Sequence, residues 1–139
     1  MAELVPAMHV TLNWESALEF TGQAGKHEVG IDGSQYTAPS PMQLLALSLA
    51  ACMAIDVVHI LQKGQKSLTG LEARLTGERR PEDPKRFTHL QLHFAVNTDA
   101  PADQVQRAID LSREKYCSVW NSLREDIRFE VTFAIDAEV

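Results

Sequence analysis

One stretch of the chain, residues 44–62, limits what the rest of it can fold into. Its sequence is LLALSLAACMAIDVVHILQ, which is almost wholly apolar and contains neither Gly nor Pro. Leu, Ala and Met are strong helix formers, so the stretch is predicted to form one long buried helix. A membrane span is not expected, because the apolar run is broken at Ser48 and then meets Asp56 and His59.

The residues on either side of this stretch predict where the helix begins and ends. Ser40 is a suitable N-cap, and Pro41 suits the first helical position. Gln43 stands three residues after Ser40, where it can complete a capping box. The helix is therefore predicted to begin at Pro41 and to end near Lys63, with Gly64 as its C-terminal stop.

Alternation of apolar and polar residues predicts six strands, of which the first three form an antiparallel meander. In the first strand, Val10, Leu12 and Trp14 share one side, so the strand is expected to be half-buried. The fourth and fifth strands are separated by a charged turn and are expected to form a hairpin. The predicted strands are Met8–Glu15, Ala17–Thr21, His27–Ile31, Leu68–Glu78, Phe87–Thr98 and Ile127–Ile135.

A second helix is predicted to begin at Asp99, as its N-cap, and to reach Cys117. Ser118 is expected to cap a short helix that ends at Arg124. The apolar stripe of the second helix consists of Val105, Ala108, Ile109 and Leu111.

The predicted order of elements is β-β-β-α-β-β-α-β. It indicates an α+β fold, with antiparallel sheets wrapped around long central helices, in a single domain over residues 1–139. One small sheet can cover only part of a helix that is apolar nearly all round. We therefore expect an extensive homodimer interface.

Composition limits the partners and the compartment. The 139 residues are 45% apolar and 23% charged, as in ordinary soluble globular proteins. The net charge of −6, without a basic stripe, disfavours nucleic acid and anionic lipid as partners. The N-terminal MAELVPAMHV lacks the features of a secretion signal, and two cysteines are too few for a disulfide framework. A cytoplasmic protein with two thiols is expected.

The polar groups of the central helix are the first indication of chemistry. Asp56 and His59 follow Cys52 at i+4 and i+7, so all three lie on one helical face. One interpretation is a reactive thiol with polar neighbours, and the other is a small buried hydrophobic residue, as free cysteines commonly are. Asp56 by itself would not activate a thiol, because a nearby carboxylate raises a thiol pKa.

Cys117 lies at the predicted break between the second helix and the short helix that follows it. The positive end of a helix dipole would stabilise a thiolate there. Because Cys52 and Cys117 are far apart in the chain, any pairing between them has to be made by the fold. If they meet, one thiol can be oxidised to a sulfenic acid and the other can resolve it as a disulfide.

Two metal sites are weaker alternatives. His89 and His93 point to the same side of one strand, but four residues apart they are too distant to share a metal on a flat strand. The second alternative combines Cys52, His59 and Cys117.

Two segments make the sequence similar to a known family. The segment APSPMQLLALSLAACMAIDVV contains Cys52, and KYCSVWNSL contains Cys117. Together they resemble the family of osmotically inducible protein C and the organic hydroperoxide resistance proteins, known as OsmC/Ohr. The resemblance extends over essentially the whole chain, including the order of strands and helices.

The resemblance implies an intertwined homodimer with sites at the subunit interface, and thiol-dependent peroxidase activity. It implies that Cys52 is the peroxidatic cysteine and that Cys117 resolves the sulfenic acid. A dithiol, such as a lipoyl group, would regenerate the enzyme, and no cofactor is expected. The substrate is expected to be a small apolar hydroperoxide. Candidate supporting residues are Asp56, His59, Gln43 and Arg74.

The chain departs from the peroxidase branches at two points. Those branches have a Glu just after the helix-opening proline, where this chain has Met42 and then Gln43. They also bring an Arg from the N-terminal region to the thiolate, whereas no Arg precedes Arg74 here. The sequence looks more like the OsmC-like branch whose substrate is not assigned. The alternative function is a non-enzymatic protein that binds a small apolar ligand at the dimer interface.

Overall fold

A computed structural model describes residues 4–135 and has the predicted α+β architecture. Residues 1–3 and 136–139 lie outside the described residues, so the first positions of the segment searched for a secretion signal are not covered. The elements are β1 (Val10–Ser16), β2 (Glu19–Ala24), β3 (His27–Asp32), α1 (Pro41–Lys63), β4 (Leu68–Arg79), β5 (Phe87–Thr98), α2 (Ala102–Leu111) and β6 (Arg128–Ile135). The chain divides into two compact units, Met1–Leu45 and Ala46–Val139.

The first unit contains the predicted meander, a three-stranded antiparallel sheet in the order β1-β2-β3. A tight turn at Gly25, whose φ is +60°, joins β2 to β3 and pairs Ala24 with His27. The predicted second strand begins two residues too early. Ala17 lies in the turn with a φ of +49°, and β2 starts at Glu19.

The apolar side of β1 is not buried in the single chain, in contrast to the prediction. Val10, Leu12 and Trp14 are 68%, 55% and 67% exposed. The alternation of the strand therefore identifies its apolar side correctly, but in the single chain this side lies at the surface. Large apolar side chains grouped in this way are unusual on the surface of a soluble monomer.

Asp32 organises the loop that leads from β3 to α1. Its side chain is 1% exposed, and its two carboxylate oxygens accept hydrogen bonds from the backbone N–H groups of Ser34, Tyr36 and Thr37 at 2.8, 3.1 and 3.0 Å. The Ser34 hydroxyl donates a further bond of 2.6 Å. The hydrogen bonds from Ser34 are the largest influence on the carboxyl group, and the network holds its pKa well below the usual range.

The Asp32 network gives a pH-dependent prediction. Asp32→Asn turns an amide group toward N–H donors and leaves at least one of them unpaired, so the urea midpoint at pH 7 should fall more than in Ser34→Ala. Because the folded-state pKa is depressed, the carboxylate stabilises the fold above its unfolded-state pKa of about 3.9. This contribution is lost as the pH falls toward the folded-state pKa. The midpoints of wild type and Asp32→Asn should therefore converge below about pH 4. A constant difference down to pH 2.5 would contradict this role.

Helix α1 has the predicted ends. The Gln43 side-chain oxygen accepts a bond from the Ser40 N–H at 2.9 Å, and the Gln43 N–H donates to Ser40 Oγ at 3.2 Å, which confirms the capping box. At the other end Gly64 follows the helix, but the residue with left-handed backbone is Gln65, whose φ is +62°. The Lys66 N–H then donates to the Leu61 carbonyl at 3.0 Å and closes the helix.

Helix α1 supplies one side of the core of the second unit. Leu49, Met53, Val57 and Leu61 are each at most 2% exposed and recur every four residues. Within the described residues, helix α1 is long enough and apolar enough to cross a membrane. Core helices of soluble proteins have the same length and composition, so these properties alone are weak evidence for a span.

The sheet of the second unit has the order β4-β5-β6. Strands β4 and β5 pair antiparallel, as predicted for a hairpin. Strand β6 runs parallel to β5, so the prediction of purely antiparallel sheets is wrong for this sheet. The alternating pattern of β6 identifies its apolar side but carries no information about the direction of its neighbour. The inward side chains of β5 are Leu90, Leu92, Phe94 and Val96.

The N-caps predicted after β5 are wrong. Asp99 does not cap α2, whose N-cap is Pro101. The Asp99 carboxylate instead accepts a bond of 2.8 Å from the Ser67 N–H, which ties the end of β5 to the start of β4. Val119, rather than Ser118, precedes the short helix, a 3₁₀ turn at Trp120–Ser122.

Helix α2 also ends differently from the prediction. It stops at Leu111 and continues as a π-helical turn, Ser112–Tyr116, which ends directly before Cys117. Single π-helical turns are rare and are frequently found at functional sites.

Candidate functional site

The fold brings Cys52 and Cys117 together. Cys52 lies in the middle of α1 and is partly exposed, whereas Cys117 follows the π-helical turn and is 0% exposed. Both are free thiols, and Cys52 is close enough to Cys117 to raise the pKa of the Cys117 thiol. The pairing that the sequence leaves to the fold is therefore present in the second unit.

Cys117 is held by hydrogen bonds on three sides. Its N–H donates to the Ser112 carbonyl at 2.7 Å, which is the closing bond of the π-helical turn. Its own carbonyl accepts bonds from the backbone and side-chain nitrogens of Asn121 at 3.1 and 2.8 Å. The Trp120 N–H lies 3.3 Å from Cys117 Sγ and donates to the sulfur. The position of this thiol is thus set by the backbone around it.

The surroundings keep the Cys117 thiol protonated. Its pKa is raised to about 11, with burial as the largest cause and the nearby Cys52 thiol as a smaller one. The N–H groups of Trp120 and Val119 lower it, but by less than burial raises it. The sequence predicts that a helix N-terminus stabilises a thiolate here. The two N–H donors do act in that direction, but burial outweighs them, so the net shift of the Cys117 pKa is upward.

A second contact joins the same two segments beside the thiols. The Ser112 hydroxyl donates a hydrogen bond of 2.7 Å to Asp56 Oδ2, and Ser112 is 0% exposed. Asp56 lies one helical turn after Cys52, and Ser112 begins the turn that ends before Cys117. The site therefore consists of two thiols and one side-chain hydrogen bond, all between α1 and the π-helical turn.

The remaining candidate residues have other positions. His59 is exposed on α1, on the same face as Cys52 and about 10 Å further along the helix axis at 1.5 Å per residue. Gln43 is engaged in the capping box at the start of α1. Arg74 is exposed on β4, with a side-chain exposure of 78%, and pairs with Glu72. A role for these three residues at the thiols stays a prediction.

The outer side of the sheet in the second unit carries a polar network. His89 Nδ1 lies 2.9 Å from Glu78 Oε2, and its Nε2 lies 3.1 Å from Glu130 Oε2. Hydrogen bonds from Gln91, His89 and Arg128, in that order of influence, lower the Glu130 pKa to about 2. The His93 ring bonds the Thr132 hydroxyl at 2.7 Å. This network links three strands across the surface.

Neither proposed metal site is formed within residues 4–135. In this part of the chain, no group of three or more His, Cys, Asp or Glu side chains is arranged to hold a metal ion. His89 and His93 instead bond neighbouring strands, and Cys52 and Cys117 pair without His59.

Ser112 is the member of the site that sequence reasoning misses. The buried residues of α2 are Val105, Ala108 and Ile109, and Ser112 continues their spacing of i, i+3, i+4 and i+7. A hydroxyl on a buried stripe needs a partner, because an unpaired buried polar group is costly. This signal was available in the sequence, but the predicted stripe uses Leu111, which is only partly buried.

Comparison with known proteins identifies the family of the chain. A sequence model of the OsmC-like protein family matches residues 32–132. The chain is 42% identical over 133 residues to Protein YhfA of Escherichia coli K12, which covers 94% of this chain and 99% of the relative.

Solved structures share the fold. A hypothetical protein from Aquifex aeolicus superposes with a TM-score of 0.88 and 24% identity over 95% of this chain and 98% of its own. An organic hydroperoxide resistance protein from Elizabethkingia anophelis superposes with a TM-score of 0.71 and 13% identity over 97% and 100%. At these identities the likeness concerns the fold alone. By its sequence and its fold, the chain belongs to the OsmC-like protein family.

Proposed function

We propose that the protein is a thiol-dependent peroxidase that reduces organic hydroperoxides through a two-cysteine cycle. The observation that carries the proposal is the pairing of a partly exposed thiol, Cys52, with a buried and protonated thiol, Cys117. Family membership supports it. So does the fold shared with a protein that is named for organic hydroperoxide resistance.

The two positions suit different steps of such a cycle. The Cys52 thiolate attacks the O–O bond of the hydroperoxide, which gives a Cys52 sulfenic acid and, after proton uptake, an alcohol. The Cys117 sulfur then attacks the Cys52 sulfur, so that the disulfide forms and water leaves. A dithiol reductant returns both cysteines to thiols and becomes a disulfide itself. Cys117 has no route to peroxide from solvent because it is buried.

The surroundings of Cys52 favour an apolar substrate. Ile55 lies three residues after Cys52, on the adjoining part of the α1 surface, and is 66% exposed, so it offers an apolar contact beside the thiol. An alkyl hydroperoxide can bury its chain against such a surface, whereas hydrogen peroxide gains nothing from it. The proposed substrate class is therefore a small apolar hydroperoxide.

A second candidate function is the binding of a small apolar ligand without catalysis. This function is favoured because the chain lacks the Glu and the Arg that the peroxidase branches of the family bring to the reactive thiol. Gln43 is committed to the helix cap. No Arg precedes Arg74 in the sequence, and Arg74 itself is exposed on β4 and pairs with Glu72. A peroxidase of this chain would have to activate Cys52 without the family's Arg and Glu.

We also propose that the protein is a soluble cytoplasmic homodimer. On α1, Leu47 and Ile55 are 59% and 66% exposed, on a helix whose opposite side forms the core. On β1, Leu12 and Trp14 are exposed to a similar extent. A second copy of the chain would bury these apolar side chains, which are costly to leave in water.

The first prediction from the proposed cycle concerns thiol accessibility. With limiting iodoacetamide at pH 8, Cys52 should be alkylated at least tenfold faster than Cys117. Cys117 is buried, and with a pKa of about 11 only about one in a thousand of these thiols is ionised at that pH. Peptide mass mapping at early times measures both rates. Comparable rates for the two residues would contradict the assigned roles.

The second prediction concerns turnover. Wild type should consume cumene hydroperoxide in the presence of dihydrolipoamide, and Cys52→Ser should lose at least a hundredfold in rate because the nucleophile is absent. Cys117→Ser is the matched control. It should react once and accumulate a sulfenic acid that dimedone traps at Cys52. If Cys52→Ser consumes peroxide as fast as wild type, the mechanism is ruled out. If wild type is inactive, ligand binding becomes the better account.

The third prediction concerns the dimer. Ile55→Asp places a charge on the exposed apolar side of α1, so it should weaken self-association at least tenfold, or about 1.4 kcal/mol. Gln62→Asp introduces the same charge at an exposed polar position of the same helix and should leave association unchanged. Sedimentation equilibrium over a range of concentrations measures both variants. A monomeric wild type would refute the dimer.

A further inference from the structure

The hydrogen bond between Ser112 and Asp56 has no part in the cycle described above. The Ser112 hydroxyl donates to Asp56 Oδ2 at 2.7 Å, and the serine is 0% exposed. Hydrogen bonds that are short, shielded from water and made to a carboxyl group are among the stronger ones in proteins. The bond is therefore suited to hold two segments in one relative position.

The segments that this bond joins are those that carry the thiols. Asp56 is one turn beyond Cys52, so it lies about 6 Å further along the axis of α1 and on the same face. Ser112 accepts the Cys117 N–H at its own carbonyl, at 2.7 Å. One residue thus bonds Asp56 through its side chain and Cys117 through its backbone.

The bond to Asp56 supplies a restraint that the backbone bonds of the π-helical turn do not. The i→i+5 geometry of the turn departs from the α-helix that precedes it, and Cys117 leaves the turn in an extended conformation, with φ −73° and ψ 100°. The backbone bonds of the turn fix Cys117 relative to Ser112. They do not fix the turn relative to α1, whereas the bond to Asp56 does.

We propose that Asp56 and Ser112 are positioning residues for the thiol pair, and that their hydrogen bond sets the effective concentration of Cys117 at Cys52. Disulfide formation between two thiols of one chain depends strongly on how closely the fold holds them in reacting geometry. The inference concerns the same thiol pair as the proposed function and deepens it. It does not depend on hydroperoxide being the oxidant.

Asp56 could act through its hydrogen bond or through its charge, and the two roles predict different variants. Asp56→Asn keeps a carbonyl oxygen that can accept the Ser112 proton, but it removes the ionisable group. Asp56→Ala removes both. The positioning role predicts that Asn substitutes for Asp and that Ala does not.

The experiment is the thiol–disulfide equilibrium of the purified protein with glutathione. The reduced protein and oxidised glutathione give the Cys52–Cys117 disulfide and two molecules of reduced glutathione, so one constant reports the effective concentration. Ser112→Ala and Asp56→Ala should each lower this constant at least tenfold. A tenfold change corresponds to about 1.4 kcal/mol. Asp56→Asn should stay within about threefold of wild type, because its amide oxygen can still accept the Ser112 hydroxyl proton. The double variant Ser112→Ala/Asp56→Ala should lower the constant no further than either single variant, because the two residues share one interaction.

The matched control is another hydrogen bond between side chains of the same unit. Gln106 donates to Asp110 at 2.9 Å on the exposed side of α2, away from the thiols. Gln106→Ala should leave the constant unchanged. Urea unfolding of every variant is measured in parallel. If Ser112→Ala does not fold, the comparison of Asp56→Asn with Asp56→Ala decides the question.

Two outcomes overturn the inference. In the first, the thiol–disulfide constants of Ser112→Ala and Asp56→Ala equal that of wild type although their urea midpoints are lower. The bond would then stabilise the fold without positioning the thiols. In the second, wild type forms no Cys52–Cys117 disulfide at any glutathione ratio. Failure of the proposed function is distinguishable from both. If wild type does not consume hydroperoxide, the peroxidase proposal fails. The positioning inference still holds in that case if the disulfide constant falls in Asp56→Ala and not in Asp56→Asn.

Discussion

The structure of the second unit depends on the need to bury one side of helix α1. Leu49, Met53, Val57 and Leu61 recur every four residues and are almost completely inaccessible, so they fix the rotation of the helix about its axis. Cys52 and Asp56 each immediately precede one of these buried residues. They therefore lie at the border of the core, where a side chain can meet both protein and solvent. The apolar packing of the helix thus determines the position of the thiol.

The two cysteines differ because they occupy different kinds of structure. Cys52 is on a regular helix, and its backbone groups are used within that helix. Cys117 is in an irregular connection, where free backbone N–H groups turn toward its sulfur and burial keeps the sulfur protonated. Because the Cys117 thiol is shielded from water, reactants in solution do not reach it. Its reaction partner has to be a group within the protein, such as the Cys52 sulfur. The difference between an accessible and a protected thiol thus follows from backbone geometry as well as from neighbouring charges.

Much of the fold could be predicted because its signals are local. The capping box of Ser40 and Gln43, the hairpin of β4 and β5, and the length of α1 each depend on residues close together in the sequence. The direction of β6 could not be predicted, since alternation is the same in parallel and antiparallel strands. The Asp99 cap failed for a similar reason, because its carboxylate is used by Ser67, which lies far away in the chain.

The candidate site was only partly accessible to sequence reasoning. Cys52 and Cys117 were paired through the family resemblance, since nothing in their spacing brings them together. The raised pKa of Cys117 could not be predicted, because it results from burial opposed by two N–H groups, and both depend on the packed structure. Ser112 could have been found as a polar residue on a buried stripe.

The parallel pairing of β5 and β6 has a consequence for how the site can change over evolution. Parallel neighbours require a long crossover connection, which here extends from residue 99 to residue 127 and contains Cys117. Both ends of this connection are held in the sheet, while its interior makes no strand pairs. Insertions and substitutions at its exposed positions can therefore reshape the surroundings of the second thiol without disturbing the register of the sheet. The fold separates the paired frame of the sheet from a segment in which the chemistry is free to diverge.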